Sequence, residues 1–94
     1  MKYISKEIYR YCGTNEMEVF ETKSRNRKAQ EAVALMAYCL KTMLFDVETI
    51  ARMLNVHQAT VYAAIRRTEG FKEIRDIQTI TILAKLSKIT GYDF

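Results

Sequence analysis

Proline and tryptophan are absent from this chain, and only three glycines and one histidine occur in its 94 residues. Without proline, the residue that most often interrupts helices and stiffens linkers is missing. No apolar run approaches the ~20 residues needed to cross a bilayer, and no charged start followed by an apolar stretch has the form of a signal peptide. We therefore expect a soluble, cytoplasmic protein that forms one domain over residues 1–94.

The scarcity of histidine and cysteine argues against several kinds of site. Cys12 and Cys39 have no CxxC spacing and lie among apolar neighbours, so two reduced, buried thiols are favoured over a disulfide. These cysteines and the single histidine, His57, cannot form a zinc site at usable spacing. The glycines are isolated, so no glycine-rich phosphate loop is present. We expect no enzyme, no metal, no cofactor and no small-molecule substrate.

Positive charge is present in excess, and it is concentrated in one place. Fifteen Lys and Arg against eleven Asp and Glu give a net charge of +4. Lys23, Arg25, Arg27 and Lys28 supply four positive charges in a segment without acidic residues, so the rest of the chain sums to zero. This segment is either a solvated run of charge at a helix start or a patch that contacts phosphate groups.

The first half of the chain predicts three helices. Residues 2–12 form the first, which ends at Gly13. Asn15, followed three residues later by a glutamate, has the capping-box spacing that starts a short second helix. Ser24 can cap a long third helix over residues 25–44, in which apolar side chains recur at intervals of three and four. This third helix is the expected centre of the core.

The end of the chain predicts one more helix. Gly70 is expected to break the preceding helix, and residues 71–89 then have apolar side chains at intervals of three. Residues 79–82 also alternate as a strand would, but a lone strand has no partner, so a helix is favoured. The inward stripe of this helix is predicted to consist of Ile74, Ile77, Ile80, Leu83 and Leu86.

Residues 46–68 have the spacing of a helix-turn-helix. Asp46 can cap a first helix that ends at Leu54, and the preceding phenylalanine can pack on its first turns. Asn55 takes the turn position that requires positive φ, for which asparagine is the next-best residue after glycine. Ala51 falls where the two helices cross and only a small side chain fits. The side chains expected to face inward are Ile50, Leu54, Val56, Val61 and Ile65.

The second helix of this motif, which starts at about Gln58, leaves a small and polar set of side chains pointing outward. Glutamine can pair bidentately with adenine, a methyl group can touch the thymine methyl, and arginine can reach guanine or phosphate. The same packing also occurs in αα-hairpins that bind no nucleic acid, in which the glutamine would be a solvated helix residue. The outward set comprises His57, Gln58, Ala59, Tyr62, Ala63, Arg66 and Arg67.

Five segments of the chain follow one another in the order EIYRYCG, NEMEVF, KSRNRK, AVALMAYCL and TIARMLNVHQATVYAAIRRTE. Over about residues 4–75 this order resembles the C-terminal DNA-binding domain of the bacterial replication initiator DnaA. The resemblance implies an all-α, compact multi-helix domain with a central helix-turn-helix, similar to that of the Trp repressor, and a double-stranded DNA partner. It also implies that Arg25 enters the minor groove and that Lys41 contacts phosphate. The base-reading positions are then occupied by His57, Gln58, Ala59 and Thr60.

The chain departs from this family at identifiable positions. His57, Gln58 and Ala59 stand where the family has Asp-His followed by Ser or Thr, so the initiator's usual DNA box is not the expected target. Glu31 and Val33 stand where arginine is common. The initiator's ATPase module is absent because the chain contains no phosphate loop. The resemblance therefore implies DNA binding without ATP-driven remodelling.

Two functions of different class follow from these observations. The first is sequence-specific binding of double-stranded DNA in replication or transcription control. The second is a helical protein-protein interaction module that regulates an initiator without touching DNA, using the face of Tyr62 and Ala63 or the last helix. A homodimer or an initiator partner fits either function. The net charge beside the motif favours DNA binding, because a pure interaction module has no need to concentrate it there.

Overall fold

The computed structural model describes residues 2–20 and 27–94, and every regular element in these two ranges is an α-helix. The predicted all-α, multi-helix fold is confirmed. None of these helices is both long and apolar enough to cross a membrane. Lys23, Ser24 and Arg25 lie outside the described residues, together with the predicted cap and start of the third helix. The helices are α1 (Lys2–Cys12), α2 (Glu16–Phe20), α3 (Arg27–Thr42), α4 (Val47–Leu54), α5 (Gln58–Glu73) and α6 (Ile77–Thr90).

The centre of the core is α3, as the apolar spacing predicts. Ten of its 16 residues are buried, including the whole stretch from Ala32 to Leu40. Alanines occupy four of the buried positions and let neighbouring helices approach closely. A helix whose central stretch is buried on all sides, as that of α3 is, lies inside the domain. The helices α1, α2, α4 and α5 all pack against it.

Local sequence signals set most of the helix ends. Gly13 has a φ of 74° and ends α1. The Asp46 carboxylate accepts a hydrogen bond of 2.7 Å from the Thr49 backbone N–H, which caps α4 as predicted. The third helix ends at Thr42 instead of continuing to residue 44, because Leu44 adopts a φ of 73°, which no helix residue can have.

The prediction of a break at Gly70 is wrong. Helix α5 continues through Gly70 to Glu73. A glycine inside a helix costs only about 1 kcal/mol, which packing of the helix can offset. The chain turns instead at Arg75, whose φ is 57°, and Asp76 caps α6 by accepting a hydrogen bond of 3.0 Å from the Thr79 backbone N–H.

The predicted inward stripe of the last helix is also wrong in part. Leu83 and Leu86 are buried, but Ile74, Ile77 and Ile80 are exposed. Ile74 precedes the turn, so it does not belong to α6 at all. Within α6, a step of three residues advances 300° around the axis, so residues spaced by three drift by 60° at each step and leave the buried face. Ile82 joins the two leucines in the core.

Two further contacts attach α6 and the chain end to the core. The Lys85 ammonium lies 3.0 Å from the Glu7 carboxylate of α1. After α6 the chain folds back, and the buried Phe94 accepts a hydrogen bond of 2.8 Å on its carbonyl oxygen from the Tyr38 hydroxyl. The Lys72 ammonium donates to the same carbonyl oxygen. The first contact joins α6 to α1, and the others join the chain end to α3 and α5.

Candidate functional site

The helices α4 and α5 form the predicted helix-turn-helix. Asn55 ends α4 with a φ of 55°, and the Val56 backbone N–H donates a hydrogen bond of 3.0 Å to the Ala51 carbonyl oxygen across the turn. His57 then starts α5 as its N-cap, with an extended backbone and no side-chain capping bond. The expected interior is confirmed: Ile50, Ala51, Leu54 and Val61 are buried, and Val56 and Ile65 pack against the core with partial exposure.

Most of α5 faces away from the core. Only Val61, Ala64 and Thr68 of its 16 residues are buried. In the part of the chain that the structure describes, Gln58, Tyr62 and Arg66 form no hydrogen bond or ion pair, so their polar atoms are available to a ligand. All the outward positions predicted for the motif are exposed, namely His57, Gln58, Ala59, Tyr62, Ala63, Arg66 and Arg67. Thr60, which the resemblance adds to the base-reading positions, is exposed as well.

Two open clefts flank the N-terminal half of α5. The larger, of about 800 Å³, lies between α4 and α5 and is lined by Glu48, Ala51, Arg52, Asn55, Val56, His57, Gln58 and Thr60. The smaller, of about 350 Å³, lies between α3 and α5 and is lined by Gln30, Val33, Ala34, Thr60, Ala63, Ala64 and Arg67. Thr60, in the first turn of α5, lines both clefts. The exposed face of α5 therefore stands between two depressions.

The structure separates the two described members of the basic segment. Arg27 is highly exposed, forms a 3.5 Å ion pair with Glu31, and lines a cavity of about 220 Å³ that Arg67 of α5 also lines. Lys28 instead lies against Gly13, beside the C-terminal end of α1, where the helix dipole favours a cation. Of these two side chains, only Arg27 is brought to α5.

Two further basic residues act electrostatically on Asp46, the N-cap of α4. Thr49 donates hydrogen bonds to the Asp46 carboxylate, and these, with the positive charges of Arg52 and Lys41, hold the pKa of that carboxyl below its usual value. Lys41, which is exposed at the end of α3, and Arg52, in the last turn of α4, thus each act electrostatically on Asp46. Arg52 was not among the predicted site residues. Its outward position on α4, between the inward-facing Ala51 and Leu54, is a signal that could have revealed it.

The two cysteines are unsuited to nucleophilic chemistry. Burial raises the pKa of the Cys39 thiol to about 12. Burial, with a smaller contribution from the Glu31 carboxylate, raises the pKa of Cys12 to about 11. Both are free thiols, as predicted, but only Cys39 is buried, whereas Cys12 is half-buried. At neutral pH almost none of either is the reactive thiolate. Within residues 2–20 and 27–94, no group of three or more His, Cys, Asp and Glu side chains is placed to hold a metal ion.

Comparison of the chain with protein-family models, with curated proteins and with solved structures gives no match. A function can therefore be inferred only from the geometry of the chain itself, and the exposed face of α5 is the feature that supports one best.

Proposed function

We propose that this protein binds double-stranded DNA and places the N-terminal half of α5 in the major groove. The observation that carries this proposal is the run of small and polar side chains exposed on the second helix of a helix-turn-helix. Among them, Gln58, Tyr62 and Arg66 form no hydrogen bond or ion pair within the part of the chain that the structure describes. A B-DNA major groove is about 12 Å wide and admits one α-helix. In helix-turn-helix proteins the second helix enters the groove and its N-terminal residues reach the base edges.

The side chains on this face match the chemistry of base edges. Gln58 lies in the first turn of α5, where its amide can accept from and donate to adenine. Thr60 and Ala63 present methyl groups that can contact thymine, and Arg66, one turn further, can reach guanine or a phosphate. Tyr62 is the one large aromatic residue on this face, which is otherwise too small and polar to resemble the core of a protein-protein interface.

We expect basic residues on both sides of the motif to contact phosphate groups. Arg27 and Arg67 line one cavity beside α5, and Lys41 and Arg52 each act electrostatically on Asp46, the N-cap of α4. Arg27 and Lys41 are 14 positions apart on α3, which corresponds to about 21 Å along the helix axis. Positive charge at two separated places suits the two backbones that border a groove. By the resemblance to the initiator domain, Arg25 would enter the adjacent minor groove, with Lys23 beside it.

The role of Gln58 can be tested by selecting duplexes from a random pool with the wild type and with Gln58→Ala. We expect the variant to lose discrimination at one base pair, by about 1 to 3 kcal/mol, and to keep its non-specific affinity. Gln78→Ala is the matched control, because Gln78 is an exposed glutamine on α6. Selected pools that are identical for the wild type and Gln58→Ala would show that Gln58 reads no base.

The backbone contacts can be tested by titrating salt against binding to a random duplex. Arg25→Ala and Lys41→Ala should each weaken binding to all sequences alike and lower the slope of log K against log salt by about 0.9. Lys88→Ala, which removes an exposed lysine from α6, should leave the slope unchanged. If the wild type itself shows no salt-dependent binding to duplex DNA, the proposed function is wrong.

A further inference from the structure

The cavity that Arg27 and Arg67 line is bounded by four helices. Its volume is about 220 Å³, and its lining comes from α1, α3, α5 and α6. A cavity of about 150 Å³ is large enough to bind benzene, so this one has room for an apolar group with a polar head. The buried part of the lining is mostly apolar and consists of Ala34, Leu35, Thr68 and Ile82, beside the partly exposed rings of Tyr11 and Phe71.

Four charged side chains also line this cavity, and their charges cancel. Arg27 and Arg67 are positive, and Glu31 and Asp76 are negative. A ligand with a single charge would be attracted by two of these groups and repelled by the other two. A ligand that carries one charge of each sign is therefore the better match to this lining.

The two carboxylates can accept further hydrogen bonds. Thr79 donates through its backbone N–H and its hydroxyl to the same oxygen of Asp76, Oδ2, which leaves Oδ1 without a donor among the described residues. Glu31 contacts Arg27 through Oε1. Burial and, to a smaller extent, the charges of Asp76 and Glu31 raise the pKa of the Tyr11 hydroxyl. Both carboxylates thus act on the side of the cavity that Tyr11 lines, where they suit an ammonium group.

Arg67 has no acidic partner. Its guanidinium lies over the Phe71 ring, 5.6 Å from the ring centroid, and it forms no ion pair or hydrogen bond within residues 2–20 and 27–94. Contact with the ring limits the movement of the guanidinium, while its N–H donors stay available. The planar fork of an arginine matches a carboxylate, to which it can donate two parallel hydrogen bonds.

We propose that this cavity binds a free α-amino acid with an apolar side chain. The carboxylate of the ligand accepts hydrogen bonds from Arg67, and its ammonium group donates to Glu31 and Asp76. The apolar side chain of the ligand lies against the buried lining. An amino acid in its zwitterionic form meets both signs of charge at once, which no simple anion or cation does.

This amino-acid site is distinct from the first turns of α5. Of the outward set predicted for the motif, Arg67 is the member that lines the cavity. Arg67 follows Gln58 by nine positions, or about 14 Å along the helix axis. Occupation of the cavity therefore leaves the N-terminal half of α5 accessible.

Titration calorimetry of the DNA-free protein tests the ligand class. L-Phenylalanine is the probe, and its two analogues are 3-phenylpropionate, which lacks the ammonium group, and 2-phenylethylamine, which lacks the carboxylate. We expect L-phenylalanine to bind and each analogue to bind at least roughly tenfold more weakly, because each leaves a charged group of the site unpaired. Glycine should also bind more weakly, since it has no side chain to bury.

The carboxylate contact is tested by Arg67→Gln. This variant should bind L-phenylalanine roughly tenfold more weakly than the wild type, and its affinity for 2-phenylethylamine should be unchanged because that ligand has no carboxylate. Folding should survive, since Arg67 is exposed. Arg66→Gln is the matched control, because Arg66 is the adjacent exposed arginine and does not line the cavity.

The ammonium contact is tested by Glu31→Gln. This variant should bind L-phenylalanine roughly tenfold more weakly, and it should not weaken the binding of 3-phenylpropionate. Glu69→Gln removes an exposed glutamate of α5 that does not line the cavity, and it should change neither affinity.

The opposite results overturn the inference. A wild type that binds neither L-phenylalanine nor L-leucine has no such site. If 3-phenylpropionate binds as tightly as L-phenylalanine, the ammonium group is not recognised, and equal effects of Arg67→Gln and Arg66→Gln would show that Arg67 does not hold the carboxylate. None of these measurements involves DNA, so their failure leaves the proposed function standing, and failure to bind DNA leaves the amino-acid site standing.

Discussion

The helices α3 and α5 have the same length and contact each other, yet they are used in opposite ways. Each has 16 residues, of which α3 buries ten and α5 buries three. Both contain several alanines. All four alanines of α3 are buried and allow close helix packing, whereas Ala59 and Ala63 of α5 are exposed and keep its outer surface low. The same residue type therefore serves core packing in one helix and forms a low, exposed surface in the other.

This contrast predicts that the two helices respond differently to the loss of a large side chain. Leu40→Ala in α3 removes a fully buried leucine and should lower the free energy of unfolding by about 2 to 5 kcal/mol. Tyr62→Ala removes an exposed side chain of α5 and should change the free energy of unfolding by no more than about 0.5 kcal/mol. Denaturant unfolding of both variants measures the difference. Equal losses would mean that α5 contributes to the core as much as α3 does.

The second prediction concerns enlarging an alanine. Ala51→Leu should overpack the buried position between the motif helices and destabilise the fold by about 1 to 3 kcal/mol. Ala59→Leu is the same change at an exposed position of α5 and should have almost no effect. Thermal melts can compare the two variants. An unaffected Ala51→Leu would contradict the packing described for the helix-turn-helix.

The third prediction concerns a substitution that should stabilise the protein. Gly70 lies inside α5, and a methyl group added there would meet no atom within 4 Å, so Gly70→Ala should stabilise the protein by about 0.5 to 1 kcal/mol. Gly91 has a φ of 81°, and Gly91→Ala should destabilise it instead because a side chain is strained in that conformation. If Gly70→Ala lowers the melting temperature, the helix does not continue through this position.

The smallest expected effect is a pH dependence from the cap of α4. The pKa of Asp46 is lower in the folded protein than in the unfolded chain, because Thr49 donates hydrogen bonds to the charged carboxylate. The stabilisation is therefore complete above about pH 4 and is lost as the pH falls through the lowered pKa. Melting temperatures of wild type and Asp46→Ala should converge in acid. Asp93→Ala is the control, because Asp93 is an exposed aspartate beyond α6. Its melting temperature should differ from that of the wild type by the same amount at every pH.

Several parts of the fold and of the candidate site could be predicted because their causes are local in the chain. Asp46 caps α4 through a residue three positions away, and Asn55 adopts positive φ through its own backbone preference. The outward face of α5 follows from the helical period once Val61 is taken as buried. Such features can be predicted without knowing which parts of the chain pack against them.

Other features depend on residues far apart in the chain. Arg27 and Lys28 are adjacent at the start of α3. The Lys28 side chain lies against Gly13, beside the end of α1, whereas the Arg27 side chain lies beside α5, because α3 packs between these two helices. Tyr38 and Phe94 are 56 positions apart and meet only because the chain folds back after α6.

By itself, the sequence determined the helices that have strong end signals, the position of the motif and the set of side chains that face outward. The tertiary structure alone decided that α5 runs through Gly70, that the chain turns at Arg75 and that Ile74 and Ile77 stay exposed. The reason is energetic. A single glycine, turn residue or isoleucine contributes about 1 to 3 kcal/mol in either direction, and the packing of whole helices around α3 outweighs such local preferences.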